Sequence, residues 1–501
     1  MGDRLTRRAV LAGLLGSAGG VALAEAPLLS PRPQARTTAA AAPALQRPDA
    51  PPLRPDSAAM IAEAALGGTV AFVIADARSG VVLDAVEGGV KLPPASVTKA
   101  VTALYALEAL GGAYRFRTRV LATGPVLGGM VQGDLVLAGG GDPVLSTDDL
   151  AGLAADLRAA GITGITGAFR VWGGALPYAE EIEPGQQDHL GYNPSVSGLN
   201  LNFNRVHFEW RRAGGDYALT MDARTETYRP AVGMARVRVV TRDVPVFTYE
   251  GGGDIDSWTV ARSALGEAGS RWLPVRRPAL YAGDVFRTLA AAEGLRLPAA
   301  TELAVRPEGT ELAHHDSDTL RAILQGMMLY STNLTAEICG LAATEARGIA
   351  AADIAGSARA MQDWLLARHG IIADFHDHSG LSDANRIGAG SLVRLMIEVG
   401  DDGPLRPLMR QIALRDDAGA PIDTGIEIRA KTGTLNYVAT LAGYVRTVSG
   451  RDLAFAFLAS DMPRRIAANA AGDEAPAGAI SYNSRAKALQ QRLLQRWGAM
   501  G

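Results

Sequence analysis

The chain has 501 residues, 48% of them hydrophobic and 20% charged, enough for a large core and too long for one ordinary domain. A net charge of −3 without a basic run excludes nucleic acid as the main partner. One cysteine, Cys339, excludes an internal disulfide and any multi-cysteine metal site.

The N-terminus reads as an export signal over residues 1–24. Arg4, Arg7 and Arg8 precede an apolar run from Ala9 to Leu23, and Ala22-Leu23-Ala24 resembles a signal-peptidase site. Thr6-Arg7-Arg8-Ala9-Val10-Leu11 looks like a twin-arginine signal, and a general secretory signal also fits. The run is short for a membrane span, so no stable span and a periplasmic location are expected. Residues 25–56 are rich in Ala, Pro and Arg without periodicity, the composition of a flexible tether.

Order is expected from Ser57. Residues 69–75 and 81–84 are strand-like around the turn Ala77-Arg78-Ser79-Gly80, a hairpin. Then comes Pro93-Pro94-Ala95-Ser96-Val97-Thr98-Lys99, followed by an Ala/Leu/Val run that stops at Gly111-Gly112. The prolines exclude a helix before Ser96, so Ser96 opens one. Lys99 is about one turn on and leaves the same face. An amine beside a hydroxyl at a helix start is the arrangement of an activated nucleophile. Only four lysines occur (Lys91, Lys99, Lys431, Lys487) against 45 arginines. Lysine can lose its proton when desolvated and arginine cannot.

Residues 115–138 alternate, Gly139-Gly140-Gly141 marks a turn, and a helix is expected over about 148–160. No Gly-Lys-Ser/Thr follows the glycines, so a phosphate loop is set aside. Residues 164–310 read as short strands, clearest at 235–241, with little helix except near 282–294. The block 164–310 reads as an insertion with no obvious chemistry of its own, within an inserted, mainly β region spanning 115–310. Helices are expected over 317–330, 334–347 and 352–368, and strands over 426–434, 438–447 and 452–460. A last helix, 480–497, carries the apolar stripe Leu489, Leu493, Leu494 and Trp497. His314-His315 and His376-Asp377-His378 lack metal-protease spacing and are read as structural.

Three short motifs follow in order: Ser96-Val97-Thr98-Lys99, Ser331-Thr332-Asn333 and Lys431-Thr432-Gly433. They fall on a helix start, an inter-helix break and a strand. Acyl transfer needs a nucleophile (Ser96), a base (Lys99) and a donor for the leaving amine (Ser331, relaying from Lys431 or Lys99). Asn333 can hold a substrate amide with both halves of its carboxamide. Lys431 and Thr432 would meet a substrate carboxylate, and Gly433 would leave the strand open to substrate. The N–H groups of Ser96 and Thr434 would form an oxyanion hole. Such a trio occurs in penicillin-binding proteins and serine β-lactamases, with Asp where Thr332 stands.

Over residues 57–500 the chain resembles the class C low-molecular-mass penicillin-binding proteins, the D-alanyl-D-alanine carboxypeptidase/endopeptidase family of the penicillin-binding protein 4 type (peptidase family S13). The diagnostic feature is the long gap between the first two motifs, Ser331 lying 235 positions after Ser96. Gly141-Asp142-Pro143-Val144-Leu145, Ser197-Gly198-Leu199-Asn200-Leu201-Asn202 and Asp377-His378-Ser379-Gly380-Leu381-Ser382 with Asn385-Arg386 also match. His378 stands where the family commonly has Gly, and the usual Asp-Gly-Thr-Leu segment before Lys431 is not recognisable.

The resemblance implies an α+β fold, a DD-peptidase domain with an antiparallel sheet flanked by helices. That domain would comprise 57–114 and 311–501, with the β insertion at 115–310. It implies hydrolysis of peptidoglycan stem peptides through an acyl-enzyme on Ser96, acylation by β-lactams, and no metal or organic cofactor. In relatives an acid near the loop at 184–189 reads the diamino-acid side chain; Asp188 is the candidate, a solvated loop aspartate the alternative. A β-lactamase or esterase on the same scaffold, and an inactive wall-binding protein, stay open as alternatives.

Overall fold

The computed structural model describes residues 56–500 except 252, 417, 418 and 473. The export signal and nearly all of the tether lie outside the described residues. Among those described, no helix is long and apolar enough to cross a membrane.

The body is built on one antiparallel sheet. Helix α1 (Ser57–Ala64) leads into strands β1 (Thr69–Asp76) and β2 (Val82–Val86), which form the expected hairpin. A 3-10 turn at Ala95–Val97 carries Ser96 into α2 (Thr98–Leu110), so the α-helix proper starts two residues after the serine. After the insertion come α3 (Leu320–Tyr330), α4 (Asn333–Ala346), α5 (Ile354–His369) and α6 (Ala389–Val399). Strands β3 (Glu427–Leu435), β4 (Val438–Arg446) and β5 (Asp452–Ser460) follow, then α7 (Met462–Ala470) and α8 (Ala479–Gly498). Helices α6 and α7 were not foreseen; glycines at 388 and 390 hide the start of α6, and Pro463 sits at the first turn of α7.

The sheet order is β3-β4-β5-β1-β2, with the short strand Arg410–Gln411 on the outer edge of β3. Its two faces differ in side-chain size, because successive residues of a strand point to opposite sides. Ala71, Ala442, Ala454 and Ala456 face the helical layer of α2 to α6. Phe72, Ile74, Leu441, Phe455 and Phe457 face α1 and α8. Alanines let the helical layer approach closely, and the larger residues fill the other side. The stripe on α8 packs where expected: Trp497 is 1% exposed, its ring 5.3 Å from Phe72 and 5.8 Å from Phe455.

The insertion is mainly β with its own core. Its largest sheet runs 301–302, 169–172, 135–138, 117–122, 310–316, flanked by helices Thr147–Ala159 and Pro278–Ala292. Strand Thr310–Asp316 pairs along Arg117–Ala122. Three three-stranded sheets accompany it: 216–222 with 205–213 and 268–274, 235–240 with 256–261 and 247–250, and 126–127 with 130–131 and 164–165. The glycine run at 139–141 is a close approach: a β-carbon on Gly139 would lie 2.3 Å from the Gly198 carbonyl, and one on Gly140 2.1 Å from that of Arg117.

Truncating Trp497 to alanine removes a side chain wedged between α8 and the sheet. It is expected to lower stability by about 3–5 kcal/mol, read as a lower denaturant midpoint in equilibrium unfolding.

Candidate active site

The nucleophile turn is clamped between the sheet and a buried loop. Thr440 on β4 donates from Oγ1 to the Pro94 carbonyl at 2.8 Å, and Thr98 Oγ1 caps the Ala95 carbonyl at 2.9 Å. Ala95 has φ +46°, a left-handed conformation that a non-glycine residue holds only under surrounding constraint. Gly433 makes the contact possible. A β-carbon there would lie 2.2 Å from Thr440 Oγ1 and 2.9 Å from the Ser96 nitrogen. Gly433 thus lets β3 touch the nucleophile turn.

Lys99 is 0% exposed, and its Nζ donates to Ser96 Oγ at 3.0 Å, Asn333 Oδ1 at 2.7 Å and the Ser379 carbonyl at 2.7 Å. Burial lowers its pKa to about 7, against the opposing pull of Asp377 and Glu337. The amine is thus available as a free base near neutrality. Lys431, 1% exposed, donates to Ser331 Oγ at 2.7 Å and to the Thr432 carbonyl at 2.8 Å. Burial, then the neighbouring Lys99 charge, holds it well below the usual lysine range. Ser331 ends α3 at φ +60°, ψ +34°, a left-handed cap that turns the chain into α4. Three motifs written far apart therefore meet at Lys99 and the nucleophile turn.

Two of the expected substrate contacts have partners within the protein. Lys431 donates to Ser331, which lines the cleft together with Thr434 of the third-motif strand. Asn333 uses both halves of its carboxamide within the protein, Oδ1 on Lys99 and Nδ2 on the Tyr192 carbonyl at 2.9 Å. It positions the base and keeps only its second N–H for a substrate.

The cleft, of about 240 Å³, is lined by Ser96, Ser331, Asn333, Thr434 and residues of the insertion, including Glu183, Tyr192 and Arg205. The inserted region therefore forms part of the cleft wall, where the sequence offered only Asp188. Beyond Ala430 the outer edge of β3 has no strand partner among the described residues, since Arg410–Gln411 pairs only with Ala430 and Arg429. An extended peptide can dock there.

Asp188 does not reach the cleft. Its side chain is exposed, and its carbonyl accepts Arg276 Nη2 at 2.8 Å. Arg276 is buried and also gathers the carbonyls of Glu180 and Asn193, which fixes the loop with Asp188 turned outward. The acid at the wall is Glu183, whose carboxyl burial raises to about 7 while Ser382 opposes. Its spacing from the motifs gave no signal in the sequence. Glu474 also lines the cleft, paired with His189 at 3.2 Å and Arg271 at 3.5 Å, so it bridges the body to the insertion.

The loop Asp377–Ser382 backs the site. Asp377 accepts the N–H groups of Gly380 and Ser382, each at 2.6 Å, and Asn385 Nδ2 at 2.9 Å. His378 is buried and kept neutral, its pKa lowered to about 3 by burial, with Nε2 2.8 Å from Ser357 Oγ. His314 pairs with Glu311 at 2.8 Å, and His315 Nε2 lies 3.6 Å from Asp149. Among the described residues no group of three or more His, Cys, Asp or Glu is placed to hold a metal.

Comparisons with known proteins give the family and the fold. The family model described as the D-Ala-D-Ala carboxypeptidase 3 (S13) family matches residues 53–477. A D-alanyl-D-alanine carboxypeptidase of Actinomadura sp. (strain R39) is 28% identical over 450 residues, 81% of this chain and 80% of that protein. A carboxypeptidase of Mycobacterium tuberculosis is 29% identical over 467 residues, 83% and 86% of the two chains. The crystal structure of penicillin binding protein 4 from Haemophilus influenzae superposes with a TM-score of 0.70 at 20% identity, covering 89% of this chain and 99% of that one. A second structure of that protein, complexed with a β-lactam, gives 0.69 at 19%. The fold is thus that of penicillin binding protein 4, and the chain belongs to the D-Ala-D-Ala carboxypeptidase 3 (S13) family of serine peptidases.

Proposed function

We propose that this chain hydrolyses the D-Ala-D-Ala end of peptidoglycan stem peptides, and D-Ala-to-diamino-acid crosslinks, through an acyl-enzyme on Ser96. The observation that carries this reading is the buried Lys99 amine, 3.0 Å from the Ser96 hydroxyl with a pKa near neutrality. Neutral Lys99 takes the hydroxyl proton as Ser96 Oγ attacks the scissile carbonyl. The N–H groups of Ser96 and Thr434 receive the oxyanion, each worth about 3–4 kcal/mol. Ser331, held by Lys431, passes its proton to the leaving amine and is restored by the proton that Lys99 took, which leaves Lys99 neutral again. Water then attacks the acyl carbon, gives its proton to Lys99, and Lys99 returns it to Ser96 Oγ as the peptide leaves with a new carboxyl group.

The reading divides the chain into a catalytic body and an inserted region that shapes the cleft. It makes the protein an exported cell-wall enzyme, periplasmic, with β-lactams as acylating inhibitors. The β-lactam bound to the Haemophilus influenzae structure supports that last point. In place of Asp188, Glu183 is proposed to meet the free amino group of the diamino acid.

A fluorescent penicillin is expected to label the wild-type protein stably, and Ser96→Ala to abolish the label. Rapid turnover without label would point instead to a β-lactamase, and no reaction to an inactive wall-binding protein. Because the neutral amine is the active form, acylation should fall about tenfold per pH unit below 7 and level off above it; a stopped-flow pH profile checks this. Glu183→Gln should raise KM for peptides bearing a free diamino-acid amine while leaving penicillin acylation within about twofold.

A further inference from the structure

One face of α4 serves the base twice. Asn333 opens the helix and gives Lys99 an acceptor at 2.7 Å. Glu337 follows at i+4, on the same face one turn along. It is 0% exposed. Its carboxylate receives two consecutive backbone N–H groups, that of His378 at 3.0 Å on Oε2 and that of Ser379 at 2.9 Å on Oε1. Ser379 in turn presents its carbonyl to the Lys99 amine at 2.7 Å.

The next turn of α4 completes the seat. Gly340 lies so close to the His378 ring that a β-carbon there would be 2.2 Å from Cγ, so the histidine occupies space that only glycine leaves. From the other side, Gly380 (φ +80°) abuts the Ala95 carbonyl, where a β-carbon would be 1.8 Å away. The 377–380 turn is therefore fixed between α4 and the nucleophile turn, and Glu337 supplies its central hydrogen bonds.

A buried carboxylate is costly unless its oxygens are hydrogen-bonded and a counter-charge is near. Both conditions hold here, an N–H for each oxygen and Lys99 close by. The charged groups that act on it are Lys99 on α2 and Asp377 on the turn itself; Lys431 on β3 acts on Lys99, Glu183 stands beyond Asp377, and His378 is neutral. Burial, then Asp377, raises the Glu337 carboxyl to about 8 against the two backbone donors and Lys99. An N–H on each oxygen is nonetheless the pairing of an ionised carboxylate, since a protonated one carries a hydroxyl on one of them.

We propose that Glu337 is a positioning residue for the reaction. Its carboxylate holds the His378–Ser379 backbone so that the Ser379 carbonyl meets Lys99, and its charge steadies the ammonium formed when Lys99 takes the Ser96 proton. This rests on Lys99 being the base.

The test is the pH profile of penicillin acylation in the full chain, with active sites counted by titration. In Glu337→Gln the negative charge is gone and an amide NH₂ opposes one of the backbone N–H groups. The acid limb is expected to move down by about one pH unit, and the plateau to fall by about tenfold or more. Glu337→Asp keeps the charge but cannot span both N–H groups. Its limb should stay at the wild-type position while its plateau falls. A folded Glu337→Gln protein with the wild-type limb and plateau overturns the proposal, as does a loss wholly accounted for by fewer titratable sites. If the glutamine variant does not fold, an undiminished plateau in Glu337→Asp overturns it. No acylation by the wild-type chain is a different result, which removes the Ser96–Lys99 reading itself.

Discussion

Everything in this molecule is arranged around an ammonium group taken out of water. Lys99 is wholly buried, and such a charge is tolerated only where acceptors replace its hydration. Three acceptors do so, a hydroxyl from its own helix start, a carboxamide from α4 and a carbonyl from the 377–380 turn. Each comes from a different segment, so the three must be held together for the amine to be stable at all. The compensation is incomplete by design of the environment: burial still wins, and the amine sits near neutrality where it can act as a base.

That requirement explains the strained and crowded backbone at the site. Ala95 and Ser331 both hold left-handed conformations, at a cost of order 1–3 kcal/mol each. Gly433 and Gly380 stand where any β-carbon would collide with the nucleophile turn. Hydrogen bonds from Thr440 to Pro94 and from Thr98 to Ala95 lock the turn against β4 and its own helix. The site is rigid because contacts from the sheet, the helical layer and the insertion over-determine it.

The insertion is part of this rigidity. The Tyr192 carbonyl orients Asn333, and the bridge from His189 and Arg271 to Glu474 joins the two regions beside the cleft. Buried Arg276 sets the loop from which Glu183, rather than Asp188, meets the cavity. A region that looks like decoration along the chain is thus one wall of the site.

The sequence alone determined the elements and the chemistry that local rules control. Prolines and glycines bounded the nucleophile helix, alternation and apolar runs marked β1 and β3 to β5, and the apolar stripe placed α8. The order and spacing of Ser96, Lys99, Ser331, Asn333 and Lys431 named the reaction type. What needed the tertiary structure were the pairings across long separations, since nothing local to Glu337, Ser379 or Tyr192 says that they converge on Lys99. The same holds for direction: a loop acid is exposed or inward according to a distant arginine, and the buried Lys431 amine meets Ser331 from the end of a distant helix. Periodicity fixes which residues lie on a face; only the packed chain decides what that face meets.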